Sequence, residues 1–303
     1  MARRTRPDVV LAGSGLAAPA AVMAAGIVGA VPAVYLHGLD IVAANPVYRL
    51  GWLPFIRRCR HVIANSSNTR RLAIEAGVDA DRIRVVHPGT DSPPADPSAR
   101  ARFRARHCIG DDAPVLLSVG RLTTRKGLAE FVDLCLPRLV EMHPGLRLVV
   151  VGDQAPDALN RGDGAGIERV RGAAHKHGIT MALQWLGSCT DAELAEAYQA
   201  ADVHVFPVRD MPGDVEGFGM VAIEAAANGL FTVAFDVGGV RDAIVVGASG
   251  TLVSAGDYEG FATEVLDTLR QAPIGQSARA RAAVGRFSWE RFGREMREAL
   301  VAA

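Results

Sequence analysis

Short apolar runs alternate with helical patterns along almost the whole chain, and this alternation limits the fold more than any other feature. The runs are Val9–Ala12, Val31–Leu36, His61–Ala64, Ile83–His87, Val115–Val119, Leu146–Val151, Ala182–Leu186, Val203–Val208, Phe231–Phe235 and Thr251–Val253. They are rich in β-branched residues and carry little charge, as parallel strands buried on both faces do. Helical patterns lie between them: Ala17–Gly26, Val47–Arg58, Thr69–Ala76, a long amphipathic stretch ending near Met142, Ile167–Lys176, Asp191–Ala200 and Tyr258–Leu269. Asn65-Ser66-Ser67-Asn68 is a good N-cap cluster for the third of these, and Gly77 stops it. Strands separated by helices predict a parallel, doubly wound α/β sheet. On such sheets ligands sit at the carboxyl ends of the strands.

At 303 residues the chain is long enough for two cores. Asp91–Pro97, rich in Pro and Asp, reads as a linker. The expected division is 1–92, 98–285 and a last amphipathic helix within 286–303, with Trp289, Phe292, Met296 and Leu300 on one of its faces. Formal net charge is zero, which removes the electrostatic case for nucleic acid. Cys59, Cys108, Cys135 and Cys189 are scattered without metal-ligand spacing, in keeping with a reducing cytoplasm. Val9–Leu36 has no charged residue and could be taken for a signal peptide or a membrane span. Its glycines and prolines favour strand, turn, helix, turn and strand instead.

The stretch Glu216-Gly-Phe-Gly-Met-Val-Ala-Ile-Glu224 follows a strand and opens a helix running to about Asn228. A helix start offers unpaired N–H groups and partial positive charge to an anion. Gly217 and Gly219 permit close approach of a ligand to the backbone. Glu224 is suited to grip a vicinal diol, since a carboxylate accepts two hydrogen bonds. Equally, Glu216 could be a capping acid and Glu224 a solvated helix residue. Only two of the 33 basic residues are lysines, Lys126 and Lys176. Lys126 stands at an expected helix start, where its charge opposes the dipole; a bound anion would explain it. Asp153 could bond a nucleobase or cap a turn. Asp79-Ala-Asp81 is the one D-x-D, and it reads more simply as a turn.

Taken in order, His37-Gly38, Ser66, Gly120-Arg121…Lys126-Gly127, Val151-Gly152-Asp153, Leu186-Gly187, Glu216-Gly217-Phe218-Gly219…Glu224 and Gly238-Gly239 resemble retaining glycosyltransferases of family 4. The resemblance covers about Pro7 to the C-terminus. It implies the GT-B fold: two Rossmann-like domains facing a cleft, the first of them incomplete here. The second would hold a nucleoside-diphosphate sugar, and the last helix would pack back on the first. Family members usually carry about twice as much N-terminal domain, so Val9–Ala12 is expected at a bare sheet edge, a pairing liability.

By the same resemblance the reaction is a hexosyl transfer with retention of configuration, without a metal or other cofactor, from a UDP- or GDP-sugar to an unidentified acceptor hydroxyl. Arg121 and Lys126 would offset the charge of the departing diphosphate. Glu216 and His37 would face the donor sugar, and Glu224 would hold the ribose. Gly120, Gly152, Asp153, Leu186, Gly187, Gly217, Phe218 and Gly219 would complete the donor site. The resemblance leaves room for a second copy or a separate N-terminal partner, and for peripheral contact with the inner membrane face. The rival reading is a nucleotide-sugar-binding subunit inactive without a partner. An epimerase remains a further alternative. Gly13-x-Gly15 hints at a dehydrogenase, but no acidic residue ends the following strand.

Overall fold

A computed structural model describes residues 6–42, 46–153, 166–271 and 273–301. The polar stretch at 160–165 lies outside them. The chain divides into two compact units. Unit 1 comprises Met1–Gly89, Met211–Gly219 and Phe287–Ala303; unit 2 comprises Thr90–Asp210 and Met220–Arg286. The nine residues around Glu216 therefore cluster with unit 1, which a linear division of the sequence does not anticipate.

Unit 1 contains a four-stranded parallel sheet in the order β1 (Val9–Ala12), β2 (Val31–Leu36), β3 (His61–Ala64) and β4 (Ile83–Val85). β1 stands at one edge of this sheet. Helix α1 (Ala18–Val28) ends at Gly29, whose φ of 73° is the left-handed turn that glycine accepts most readily. The expected helix over Val47–Arg58 is two short ones, Pro46–Gly51 and Leu53–Arg58. Pro54 suits only the first turn of a helix, so a new one starts there. Helix α2 (Ser67–Glu75) opens two residues earlier than expected, because Ser66 Oγ accepts from the Thr69 N–H at 3.0 Å. On one face of the sheet Tyr35, Ile63 and Val86 pack against Met296 and Ala299 of the last helix (Trp289–Val301). On the other, Val34, Leu36, Val62 and Ala64 pack with Ala18, Ala21, Ile56 and Ala73.

Unit 2 contains a six-stranded parallel sheet. Its strands are β5 (Val115–Val119), β6 (Arg147–Val151), β7 (Leu183–Gly187), β8 (Val203–Phe206), β9 (Thr232–Phe235) and β10 (Gly250–Val253). Their order is β10-β9-β8-β5-β6-β7, so the direction of winding reverses between β8 and β5. A helix missed in the sequence, α3 (Ala99–Arg106), is tied down by ion pairs from Arg102 and Arg106 to Glu196 and from Arg100 and Arg104 to Asp202. The long amphipathic helix splits at Cys135 into α4 (Leu128–Leu134) and α5 (Leu136–Met142), since Pro137 can neither donate to the preceding turn nor fit against it. Helix α6 (Gly166–Lys176) precedes β7. Helix α7 (Asp191–Ala200) opens on a reciprocal cap between Thr190 and Glu193. Helix α8 (Met220–Ala227) follows β8, and α9 (Tyr258–Arg270) follows β10. A further helix missed in the sequence, α10 (Pro273–Ala283), carries Arg281, whose guanidinium donates to the Ala227 and Asn228 carbonyls at the end of α8.

Among the described residues no helix is long and apolar enough to cross a membrane. The Val9–Leu36 stretch folds as strand, helix and strand.

Candidate functional site

Reversal of strand order opens a crevice at the carboxyl ends of the two strands that flank it, and in open α/β sheets ligands bind there. In unit 2 those strands are β5 and β8. Lys126 stands at this point. Its loop leaves β5 at Gly120, makes one 3-10 turn over Thr124–Lys126 and passes through Gly127 at a φ of 69°. The ammonium lies 4.7 Å from the centroid of Phe206, the last residue of β8. The neighbouring ring makes this a favourable cation–π seat. The Lys126 side chain also passes over Gly120, where a Cβ would touch its Cε at 3.6 Å. Arg121 is exposed on the same loop.

The ends of β5, β6 and β7 are laced together. Gly120 N–H donates to Val151, Gly152 N–H to Gly187, and Leu122 N–H to Asp153, at 2.9, 2.8 and 3.0 Å. Gly152 has a φ of 128°, and a Cβ there would collide with the Gly120 carbonyl. No other residue fits the position without moving both loops. Gly187 falls inside β7 rather than beyond it, and Leu186, inside the strand as expected, packs on the core of unit 2.

Behind Lys126 lies a buried polar group of three residues. Glu224 is half-buried in the second turn of α8. Its carboxylate accepts from the Tyr198 hydroxyl at 3.1 Å. Burial raises the Glu224 pKa, while the Tyr198 hydrogen bond and the Lys126 charge draw it back. His204, on β8, is fully buried with Nδ1 3.0 Å from Thr232 Oγ1. Burial, and then Lys126, push its pKa down to about 3, so it stays neutral.

Unit 1 holds His37 and Glu216. His37 directly follows β2 and is exposed. Its Nε2 is 2.8 Å from the Gly13 carbonyl. A carbonyl only accepts, so Nε2 is the donor of this bond. Asp40 fixes this corner. One oxygen accepts from the N–H groups of His37 and Gly38 at 3.0 Å, and the other from Gly15 at 2.8 Å. That carboxylate tethers the loop after β1 to the turn after β2.

Glu216 is half-buried in a loop, four residues before α8 begins, and not directly at the helix start. Gly217 lies against the turn after β2: a Cβ there would collide with the His37 carbonyl oxygen and come within 3.0 Å of Asn65 Nδ2. Phe218 is buried, stacked on His87 at 5.4 Å and edge-on to Phe287 at 5.7 Å. Its ring is therefore a core residue of unit 1, and Gly219 follows at a φ of 102°. Gly217→Ala is expected to cost about 1–3 kcal/mol by overpacking, measured as a lowered thermal midpoint. An unchanged midpoint would mean the two backbones do not meet.

His37 and Glu216–Gly219 thus share unit 1, and Gly120, Arg121, Lys126, Gly152, Asp153, Leu186, Gly187 and Glu224 share unit 2. Phe206 and Tyr198 were missed. Both lie in apolar or Ala-rich runs that carry no motif, and only strand order brings them to Lys126 and Glu224.

Residues 99–285 match the family described as Glycosyl transferases group 1, and residues 1–92 match Glycosyltransferase Family 4. The D-inositol 3-phosphate glycosyltransferase of Geodermatophilus obscurus is 36% identical over 237 residues, covering 76% of this chain and 50% of that protein. A GDP-mannose-dependent alpha-(1-6)-phosphatidylinositol monomannoside mannosyltransferase of Mycolicibacterium smegmatis is 30% identical over 278 residues, covering 86% and 69%. The chain spans about half the length of the inositol phosphate relatives it matches. Among solved structures, Anabaena HepE in complex with UDP and glucose superposes with a TM-score of 0.82 at 20% identity, over 99% of this chain and 80% of that one. Sucrose-phosphate synthase of Thermosynechococcus elongatus gives 0.80 at 23%, over 100% and 76%.

Proposed function

Because this chain belongs to the group 1 glycosyl transferases and has their GT-B fold of Rossmann-like units, we propose that it moves a sugar from a nucleoside-diphosphate sugar to an acceptor hydroxyl, with retention of configuration. One observation carries the reading: a lysine ammonium seated at the strand-order reversal of unit 2. That is where an open α/β sheet binds its ligand, and a fixed cation there suits a diphosphate whose negative charge grows as it leaves.

In this reading unit 2 holds the donor nucleotide. Lys126 and Arg121 face the diphosphate, together with the N–H groups at the start of α8. Glu224 accepts from the ribose hydroxyls. Gly120, Gly152 and Gly187 keep the strand ends free of side chains, so that the nucleotide approaches the backbone. Leu186 and Asp153 stand beside the base. Glu216 and His37 act on the sugar, Glu216 by accepting from its hydroxyls and His37 through a ring that its bond to Gly13 orients. The donors that the named relatives and structures mention, GDP-mannose and UDP-glucose, make the UDP and GDP sugars the first to try. An inositol-bearing acceptor is the first acceptor class to try, from the relatives' names.

The test is calorimetric titration with UDP, GDP and ADP, followed by donor turnover with and without acceptor. Tight binding of one nucleotide with turnover supports the reading. Binding without either transfer or donor hydrolysis would make the chain a binding subunit. Failure to bind any nucleotide would end the donor-site assignment. Glu216→Ala is expected to leave nucleotide affinity within about twofold, since no nucleotide contact is assigned to it. Its turnover should fall about a hundredfold or more, the size expected for losing one group that stabilises the transition state. Equal loss of affinity would place Glu216 on the nucleotide instead.

A further inference from the structure

We propose that Tyr198 is a positioning residue that holds the Glu224 carboxylate by one oxygen, so that the other is presented to the ribose diol of the donor. The proposal rests on the donor-site reading above and adds a residue to it.

Tyr198 is on α7 and only 2% exposed. Its ring packs with Phe103, Val149 and Leu230 in the core of unit 2 and stands edge-on to His204 at 6.1 Å. A ring so enclosed cannot swing, and a buried phenol needs a partner. Two acceptors are in reach: Glu224 Oε2 at 3.1 Å and the Val221 carbonyl at 3.4 Å. The carbonyl alone would satisfy a structural tyrosine. The shorter contact goes to the carboxylate, where a hydrogen bond to an ionised acceptor is stronger than one to a neutral oxygen.

Among the described residues the side-chain hydrogen bond recorded for Glu224 is the one from Tyr198 to Oε2, which leaves Oε1 to a ligand. A glutamate on a helix otherwise rotates about its side-chain torsions, and freezing them costs entropy at the moment of binding. The phenol removes that freedom beforehand. It also supports the charged form. Glu224 is faced by Tyr198 and Asp191 from α7 and by Lys126 from the turn after β5. Burial and Asp191 favour protonation, while Tyr198 and Lys126 oppose it. A protonated carboxyl could no longer accept from both ribose hydroxyls.

The experiment uses the full chain and the Tyr198→Phe variant, which keeps the ring and loses the hydroxyl. Binding of whichever of UDP and GDP the wild type prefers, and of its 2′-deoxy counterpart, is titrated from neutral pH into acid. The ionisation of Glu224 is followed in parallel by carboxyl carbon NMR without ligand. Expected results are about tenfold weaker binding of the ribonucleotide, little change for the 2′-deoxy compound, and an acid limb and Glu224 ionisation moved to higher pH. In a Glu224→Ala background Tyr198→Phe should have no further effect. Equal losses for both nucleotides, a further loss in that background, or an unmoved Glu224 ionisation would overturn the proposal and leave Tyr198 a packing residue. If the wild type binds no nucleotide while the ionisation does move, the donor-site reading falls and takes the ribose role with it. That result differs from the first three.

Discussion

Lys126→Ala is expected to cut sugar transfer about a hundred- to a thousandfold, or about 3–4 kcal/mol, the usual loss when one preorganised group facing transition-state charge is removed. The effect should fall more on turnover than on substrate affinity, because the diphosphate gains charge as the sugar leaves it. The Lys126 Nζ lies over Phe206 and its stem crosses Gly120. Alanine leaves the 3-10 turn at Thr124–Lys126 and the Gly127 bend intact, since neither depends on the side chain. The fold should therefore survive, which circular dichroism and thermal melting would verify. Steady-state kinetics with the preferred donor then separates the two contributions. Wild-type turnover in the variant would remove Lys126 from the reaction.

Acid should weaken unit 2 through His204. Its pKa lies at about 3 in the folded chain, against 6.5 for an unperturbed imidazole, because burial and the Lys126 charge disfavour the cation. Between those values the unfolded chain binds the proton and the folded chain does not. The stability that neutral His204 permits is therefore complete above about pH 6.5 and falls as the pH drops toward about 3. The total is on the order of 5 kcal/mol. Glu224 works in the opposite sense: its raised pKa makes the folded chain the better proton binder through that carboxyl's own range. Other carboxylates also contribute to the acid limb, so the comparison must be with His204→Phe. Denaturant unfolding at pH 7, 5.5 and 4 should show a steep loss in the wild type and a shallower one in the variant. Equal slopes would mean the ring takes up its proton without unfolding.

Much of the strand framework could be read from the sequence. β1, β2, β3 and β5 fall on the residues expected, because a parallel strand covered on both faces leaves an uncharged run with sharp ends. Helix interruptions were read less well. Pro54 and Pro137 each break a pattern whose apolar periodicity continues through the break. Helix α3 was hidden for another reason. Arg100, Arg102, Arg104 and Arg106 look like a solvated segment until Glu196 and Asp202, about a hundred positions later, supply their counter-charges. The site divides in the same way. Lys126, Glu216 and Glu224 stand out through residue type and spacing. Phe206, Tyr198 and His204 do not, because their roles come from the order of strands in the sheet and no local signal records it. Asp40 is intermediate: beside His37-Gly38 it is equally suited to a ligand and to capping a helix, and the structure adds that its carboxylate ties two loops of unit 1 together.

Unit 1 is assembled from three separate pieces of the chain, and the last begins at Phe287. A ribosome delivers these pieces in order. When β4 emerges, the apolar face made by Tyr35, Ile63 and Val86 has nothing to cover it, because Met296 and Ala299 lie some two hundred residues downstream. At roughly 5–20 residues per second that face stays open for about 10–40 s, while the whole of unit 2 is being made and can fold. The unit whose first piece precedes unit 2 in the chain is thus the unit that finishes last. It is the part for which chaperone binding to the nascent chain, and the position of any C-terminal truncation, should matter most.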